Sequence, residues 1–341
     1  MKKIFITDLN ECRRLWESFI PARHITDDWN FRLCFHHHYQ CPPRFMVLQD
    51  HEGIAALIPL SFQKQMNQHV FFPGEIWNGR TWIERTPIYF RNPERIQNVL
   101  EKCPDNTYLR YLEKEFVQDA EQVTGDEIGY VLYPGRVSGG IQDYYRRFSN
   151  KRLKNLFKCI HNLCSPGFRF YLNRLDDFER LVEMNIDNFG SRSYLYDERF
   201  RNGFKGVVSL LHKHGLLRLI SLEIDGRLTA VDLGVLYRGT YTILMGGTRR
   251  DMPGVAKVIN MYHIEYAFAS GISKVDFLCG DFHWKKLWHL DPEPLYAFKT
   301  QPECTRIIPG TMRPRMISKD TPEPAQDNFE ENRRRAIGGK F

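Results

Sequence analysis

Apolar and polar positions alternate most regularly between residues 216 and 247. There LLRLISLEI, RLTAVDLGVLY and TYTILMGG are joined by the short turns DG and RG, the pattern of an antiparallel meander. The period then becomes helical. VAKVINMYHIEYAFAS, ended by Gly271, precedes a further strand, KVDFL. Upstream, DYYRRFSNKRLKNLFKCIHNL sets apolar residues at 145, 148, 153, 156, 157, 160 and 163, a helical spacing with most basic residues on the other side. RFYLN predicts a strand. DDFERLVEMNIDNF predicts a helix opened by an Asp176-to-Glu179 capping box, and ERFRNGFKGVVSLLHKHG one stopped by Gly215.

The first half is mixed. DLNECRRLWESFI reads as a helix, and RFMVLQD and IAALIPLSF as a hairpin across DHEG. NPERIQNVLEKC predicts a helix with Asn92 as N-cap and Pro93 first, followed by strands in NTYLRYLE and IGYVLYP. FFPGEIWNGRTWIERTPIYF, residues 71–90, is aromatic and turn-rich with no clean period. PGRVSGG, residues 134–140, reads as a linker, giving domains 1–135 and 136–310 and a mobile, charged tail over 311–341. LYAFKT, residues 295–300, predicts a last strand.

A length of 341 residues and 42% hydrophobic content suit two packed domains. No apolar run reaches the roughly 20 residues of a membrane span, and the start lacks a secretory apolar core, so the cytoplasm is the expected location. The eight cysteines are scattered without a CxxC and read as reduced thiols. FHHHYQC, residues 35–41, suggests a metal at first sight. Consecutive histidines cannot all face one ion from a regular element, so no metal is expected. The net charge of +7 is concentrated: residues 144–175 hold no acid but include Arg146, Arg147, Lys151, Arg152, Lys154, Lys158, Arg169 and Arg174. Such a stretch suits phosphates, a nucleotide or RNA.

Candidate chemistry lies further on. In MGGTRRDMPGVAKVI a strand gives way to a helix whose first N–H groups suit a phosphate, with Gly254, Val255 and Ala256 at the backbone and Arg249 and Arg250 adding charge. In TAVDLGV, Val231, Leu233 and Val235 share one face, leaving Asp232 on the other between Ala230 and Gly234, a candidate base on an open floor. Its structural alternative is a carboxylate satisfied by a neighbouring arginine or backbone group. FLCGDFHWKKLW, residues 277–288, puts Asp281, His283, Trp284 and Lys285 at a strand's end, where ligands of α/β folds collect.

These stretches resemble the GNAT acyltransferase superfamily. The closer resemblance is to its double-domain branch of cellulose-biosynthesis-associated acetyltransferases and Fem peptidoglycan-bridge aminoacyltransferases. DYYRRFSNKRLKNLFK resembles the branch's basic helix, DGRLTAVDLGVLYRGTYTILMGGTRRDMPGVAKV its meander and phosphate helix, and Gly280, Asp281, Trp284 and Lys285 its Gly-Asp-x-x-aromatic-Lys signature. The resemblance spans roughly residues 140–300. It implies an α/β fold of tandem GNAT-like domains, a mixed central sheet with an antiparallel meander flanked by helices. It also implies an N- or O-acyltransferase that moves an acyl group from acyl-CoA to a polar, sugar-containing acceptor in polysaccharide or cell-envelope biosynthesis. Asp281, Lys285, Asp232 and His283 are the implied catalytic residues. Trp284, Arg152, Lys158 and Tyr262 fall to substrate binding, with Glu265 secondary. Asp251 departs from the family's Gln/Arg at the donor loop. Two alternatives stand beside this reading: an aminoacyl-tRNA donor, and a binding protein on a GNAT-like shell.

Overall fold

The alternation from residue 216 folds as its pattern requires. In the computed structural model, which describes residues 1–117 and 122–300, Leu217–Ile224, Arg227–Tyr237 and Thr240–Thr248 pair antiparallel in that order. Val231, Leu233 and Val235 bury one face under helices Asp177–Phe189 and Glu198–Lys213. Ile220, Leu222 and Ala230 bury the other under helix Val255–Ala269. Helix Asn150–Cys164 lies over that helix, and Phe157 and its lysines stay exposed.

The meander is one end of a ten-stranded sheet. Its order is Phe168–Leu172, Leu217–Ile224, Arg227–Tyr237, Thr240–Thr248, Lys274–Cys279, Val123–Leu132, Asp291–Lys299, Thr107–Glu113, Gln68–Phe71 and Leu60–Gln63. Neighbours are antiparallel except for two pairs, Thr240–Thr248 with Lys274–Cys279 and Gln68–Phe71 with Thr107–Glu113. Between those parallel pairs the halves exchange strands. Val123–Leu132, from the first half, lines Lys274–Cys279, while Asp291–Lys299, from the second, lines Thr107–Glu113. The sheet therefore runs unbroken past residue 135, where the sequence suggests a domain boundary. Helix Trp29–Tyr39 likewise packs into the second half's core. A Cβ on Gly203 would stand 2.7 Å from the Phe35 ring, so only glycine allows this helix contact.

Several local expectations change. IAALIPLSF is not one strand, because Pro59 has no N–H to continue the ladder. Gly53–Ile58 stays in a second sheet with Phe45–Asp50, Lys2–Ile6 and Tyr89–Phe90, and Leu60–Gln63 crosses into the large one. The basic helix is two helices, Gly140–Tyr145 and Asn150–Cys164, the second capped by the Ser149 hydroxyl. PGRVSGG is not a free linker: Pro134–Arg136 forms a tight turn with Pro134 and Val137 buried. Asp176 makes no side-chain cap, and Asp177 instead accepts from Arg174 and Ser221. The 92–103 segment opens with Asn92 accepting from the Glu94 N–H at 2.9 Å and a 3-10 turn from Pro93 to Arg95, and its α-helix is short, Ile96–Leu100. The tail over 311–341 and Cys304 lie outside the described residues.

Residues 71–90, which carry no period, hold the halves together. Arg85 sits in the left-handed region (φ 59) and is 5% exposed. Its Nε donates to Asp276 at 3.0 Å, Nη1 to Glu113 at 3.0 Å and Nη2 to Glu293 at 2.8 Å. Those carboxylates stand on three different strands. Burial would push Glu113 up, but the hydrogen bond and charge of His24, with Arg85 and Arg23, hold it down at about 2. Replacing Arg85 leaves buried carboxylates facing one another. Arg85→Met is expected to cost about 3–5 kcal/mol, read from urea unfolding, and a loss under about 1 kcal/mol would remove Arg85 as the fastening.

Candidate active site

The two parallel strands of the second half pair with each other only over Thr240–Thr242 and Lys274–Asp276, then part as they continue to Thr248 and Cys279. Leu233 pairs with Met245 and Gly234 with Ile243, so Leu244 is the extra residue of a β-bulge on the parting strand. Such a bulge leaves a backbone group outside the ladder.

Beyond Thr248 the chain turns through Arg249–Pro253 into helix Val255–Ala269, entered by Gly254 at φ 93. Val255 is buried and Ala256 exposed. Arg249 grips Asp251 bidentately at 2.9 and 2.8 Å, and Arg227 reaches the same carboxylate at 3.2 Å. Arg250 donates to the Asp187 carbonyl at 3.0 Å. The expected donor-loop arginines are thus already partnered. Arg249 is half-buried and Asp251 exposed, so an anion can compete for that contact.

The other strand ends in a kink. Leu278 has φ 58 and Gly280 φ 102, and a Cβ on Gly280 would stand 2.5 Å from the Phe282 ring. A leucine in the left-handed region is uncommon and needs surrounding contacts to hold it. Lys285 supplies them. It is 2% exposed, and its ammonium donates to the carbonyls of Leu278 at 2.8 Å and Cys279 at 2.6 Å. Burial lowers its pKa, opposed by the charge of Glu84. Asp281 is exposed and bonded to the Tyr130 hydroxyl and to Lys286, whose charge and hydrogen bond hold its pKa down. His283 is exposed, and Trp284 stands edge-on to Phe277 at 6.0 Å.

Asp232 does not face an open floor. Its carboxylate accepts from His263 at 2.9 Å, His263 bonds the Tyr241 hydroxyl at 2.8 Å, and His263 is fully buried. Helix Val255–Ala269 covers that face, and Gly246 leaves room for the carboxylate. Arg152 donates to the Leu287 carbonyl, tying the basic helix to the 283–287 turn. Tyr262 stacks on Phe170 at 4.3 Å, Glu265 accepts from Tyr145 at 2.6 Å, and Lys158 is exposed. Asp281, His283, Trp284 and Lys285 therefore share one turn. Asp232 and Tyr262 belong to the packing between helix Val255–Ala269 and the sheet.

The sequence reading missed Glu84. It is 7% exposed, and both its oxygens accept the Cys279 N–H, at 2.8 and 2.9 Å. Burial pushes its pKa up to about 7 against the lowering effect of the Cys279 hydrogen bond. Its signal in the sequence is the adjacent acid and base of WIERT inside an aromatic stretch. Among the described residues no group of His, Cys, Asp and Glu side chains is arranged to hold a metal, and no helix is long and apolar enough to cross a membrane.

Residues 150–286 match the family model of the acetyltransferase (GNAT) domain. This segment is a GNAT domain. The bulged, parting strands and the Gly254 helix start all lie inside it. Among solved structures, FemX covers 88% of this chain and 98% of its own at 10% identity, with a TM-score of 0.56. L-PGS from Bacillus licheniformis covers 86% and 92% at 13% identity and a TM-score of 0.51. A conserved protein of unknown function from Bacteroides thetaiotaomicron VPI-5482 covers 88% and 100% at 11% identity and a TM-score of 0.53. At these identities the likeness is one of fold, and it extends beyond the GNAT domain through the first half. No curated protein matches the chain in sequence.

The two adjacent lysines of the signature turn have opposite settings, which gives a direct comparison. Lys285→Met removes buried charge-assisted bonds from a strained turn and is expected to cost about 2–4 kcal/mol in urea unfolding. Lys286→Ala is expected to leave the midpoint in place. Equal effects would contradict the anchoring role of Lys285.

Proposed function

We propose that this protein is an acyltransferase that moves an acyl group from acyl-CoA directly to an amine or hydroxyl of a polar, sugar-containing acceptor. One observation carries the reading. Glu84, a buried carboxylate with a pKa of about 7, sits on the Cys279 amide beyond the point where the two parallel strands part. A base poised near the working pH is what proton removal from an attacking nucleophile needs.

In this scheme the donor's pyrophosphate lies against Gly254, Val255 and Ala256 at the helix start, with Arg249 and Arg250 turning from Asp251 and Asp187 to the phosphates. The thioester carbonyl enters the gap, and a backbone N–H at the Leu244 bulge receives the oxyanion. The acceptor attacks, Glu84 takes its proton directly or through one water, the C–S bond breaks, and the CoA thiolate leaves. Burial, then the charge of Glu84, push the Cys279 thiol up, so it stays protonated and is no nucleophile. Acceptor recognition falls to Asp281, His283 and Trp284 on the exposed turn, and Lys158 meets an anionic group of either substrate. Lys285, Asp232, Arg152 and Tyr262 act as positioning residues through the contacts they already make. A cytoplasmic setting suits the donor, and the seven described cysteines are free thiols.

A second reading, an aminoacyl-tRNA donor, is favoured by Lys151, Lys154 and Lys158, exposed along one helix, and by Arg249 already bound to Asp251. The fold shared with FemX and L-PGS adds to it. Thermal unfolding with acetyl-CoA, free CoA and a longer acyl-CoA separates the two. Saturating acyl-CoA is expected to raise the midpoint, since ligand at about 100 times its Kd adds about 2.7 kcal/mol. No rise with any thioester, together with salt-sensitive tRNA binding, would overturn the CoA reading. Glu84→Gln is expected to keep the acyl-CoA shift and lose about 10²–10⁴ in kcat. Full turnover in that variant would remove Glu84 as the base.

A further inference from the structure

The first half has its own parting parallel strands. Gln68–Phe71 and Thr107–Glu113 pair only at His69–Thr107 and Val70–Tyr108, as the donor-side strands pair only at their starts. A cleft open to solvent lies beside them, lined in part by Arg32, Gln68, Gly74 and Glu75. No helix follows the shorter strand to offer N–H groups to a phosphate. The chain instead runs through Gly74 and Glu75 into the hairpin Ile76–Trp77 and Arg80–Thr81, and both line the cleft.

The walls carry a buried guanidinium and a buried carboxylate. Arg32, 1% exposed, is clamped by Nε to the Thr26 carbonyl at 2.5 Å and by Nη1 to the Phe72 carbonyl at 2.6 Å, between the rings of Trp16 and Phe71. Its Nη2 is buried with no partner among the described residues. Glu75, 4% exposed, accepts through Oε1 from the Thr81 hydroxyl and from the amides of Trp82 (3.3 Å) and Ile83 (3.0 Å). Gln68 contributes a second buried orphan, the acceptor Oε1. The other guanidinium of the wall, Arg110, is already held by Asp126 at 3.0 and 2.6 Å.

A buried donor and a buried acceptor without partners are rare in folded proteins, and here both border one cleft. The cleft therefore lacks a hydrogen-bond acceptor opposite Arg32 and a donor opposite Gln68. Glu75 sets the charge. A dianionic phosphate would bring two charges beside that carboxylate, whereas a carboxylate with a neighbouring ammonium is neutral overall and matches both walls. We propose that this cleft is a second ligand site, separate from the acyl-transfer site, that takes a free α-amino acid with its carboxylate on Arg32 and its ammonium toward Glu75 and Gln68.

The test uses the full-length protein carrying ¹⁵N-labelled arginine. Glycine, L-alanine, L-serine and L-leucine are titrated while the buried Arg32 side-chain signal and the thermal midpoint are followed. N-acetylglycine, ethylamine and inorganic phosphate serve as the arms lacking one feature each. The expected result is a saturable shift of the Arg32 signal and a raised midpoint with at least one amino acid, and neither with the three controls. Gln68→Leu and Glu75→Gln, which leave the Arg32 clamp in place, are each expected to weaken that binding by about tenfold or more. No response to any amino acid would overturn the proposal, as would phosphate binding equally well or affinity unchanged in both variants. The readout requires no acyl transfer, so it stands or fails apart from the proposed activity.

Discussion

The arrangement of this molecule depends on where one guanidinium sits. Arg85 is bound by carboxylates on strands Lys274–Cys279, Thr107–Glu113 and Asp291–Lys299, which come from both halves of the chain. A buried ion cluster is weak evidence of net stability, because its desolvation cost offsets much of its attraction. What it does supply is register. With Arg85 fixed, Glu84 is delivered to the Cys279 amide, and the exchange of strands Val123–Leu132 and Asp291–Lys299 is held in one alignment. The end of the GNAT domain's parting strand is thus completed by a residue from outside that domain.

The two parallel pairs show one architecture put to different chemical ends. In the second half the parting strands lead to a Gly-entered helix and a kinked turn capped by Lys285. In the first half the corresponding place is closed by a hairpin and carries Arg32 and Glu75. In the proposed scheme the helix-start N–H groups suit phosphate at the first place, and a buried guanidinium with a buried carboxylate suits a zwitterion at the second. On the proposals made above, the halves share topology and take different ligand classes.

Much of the second half was legible in the sequence because its signals are local. Tight turns and alternation define the meander, and the helical period through residue 270 defines helix Val255–Ala269. Strand exchange was not legible, since partner choice depends on pairings far apart in sequence. Pro292 and Pro294 also disguised the start of the last strand. The turn of Asp281, His283, Trp284 and Lys285 was found through its position after an apolar run. The burial of Lys285 was not, because adjacent lysines look alike until the backbone decides which one turns inward. Asp232 failed as an open base because the helix over it brings His263 into contact. Glu84 lies in an aperiodic segment, and its partner is 195 residues away.

The central claim is that the first half places a carboxylate at the acyl-transfer end of the sheet, in surroundings that make it a base at neutral pH. The most direct measurement is a ¹³C NMR titration of the glutamate side-chain carboxyls in the whole protein, with the Glu84 signal assigned by its absence in Glu84→Gln. The account predicts a midpoint near 7 for Glu84, raised by burial. A midpoint near the ordinary 4.5 would contradict it, leaving the sheet's end without a base poised at neutral pH.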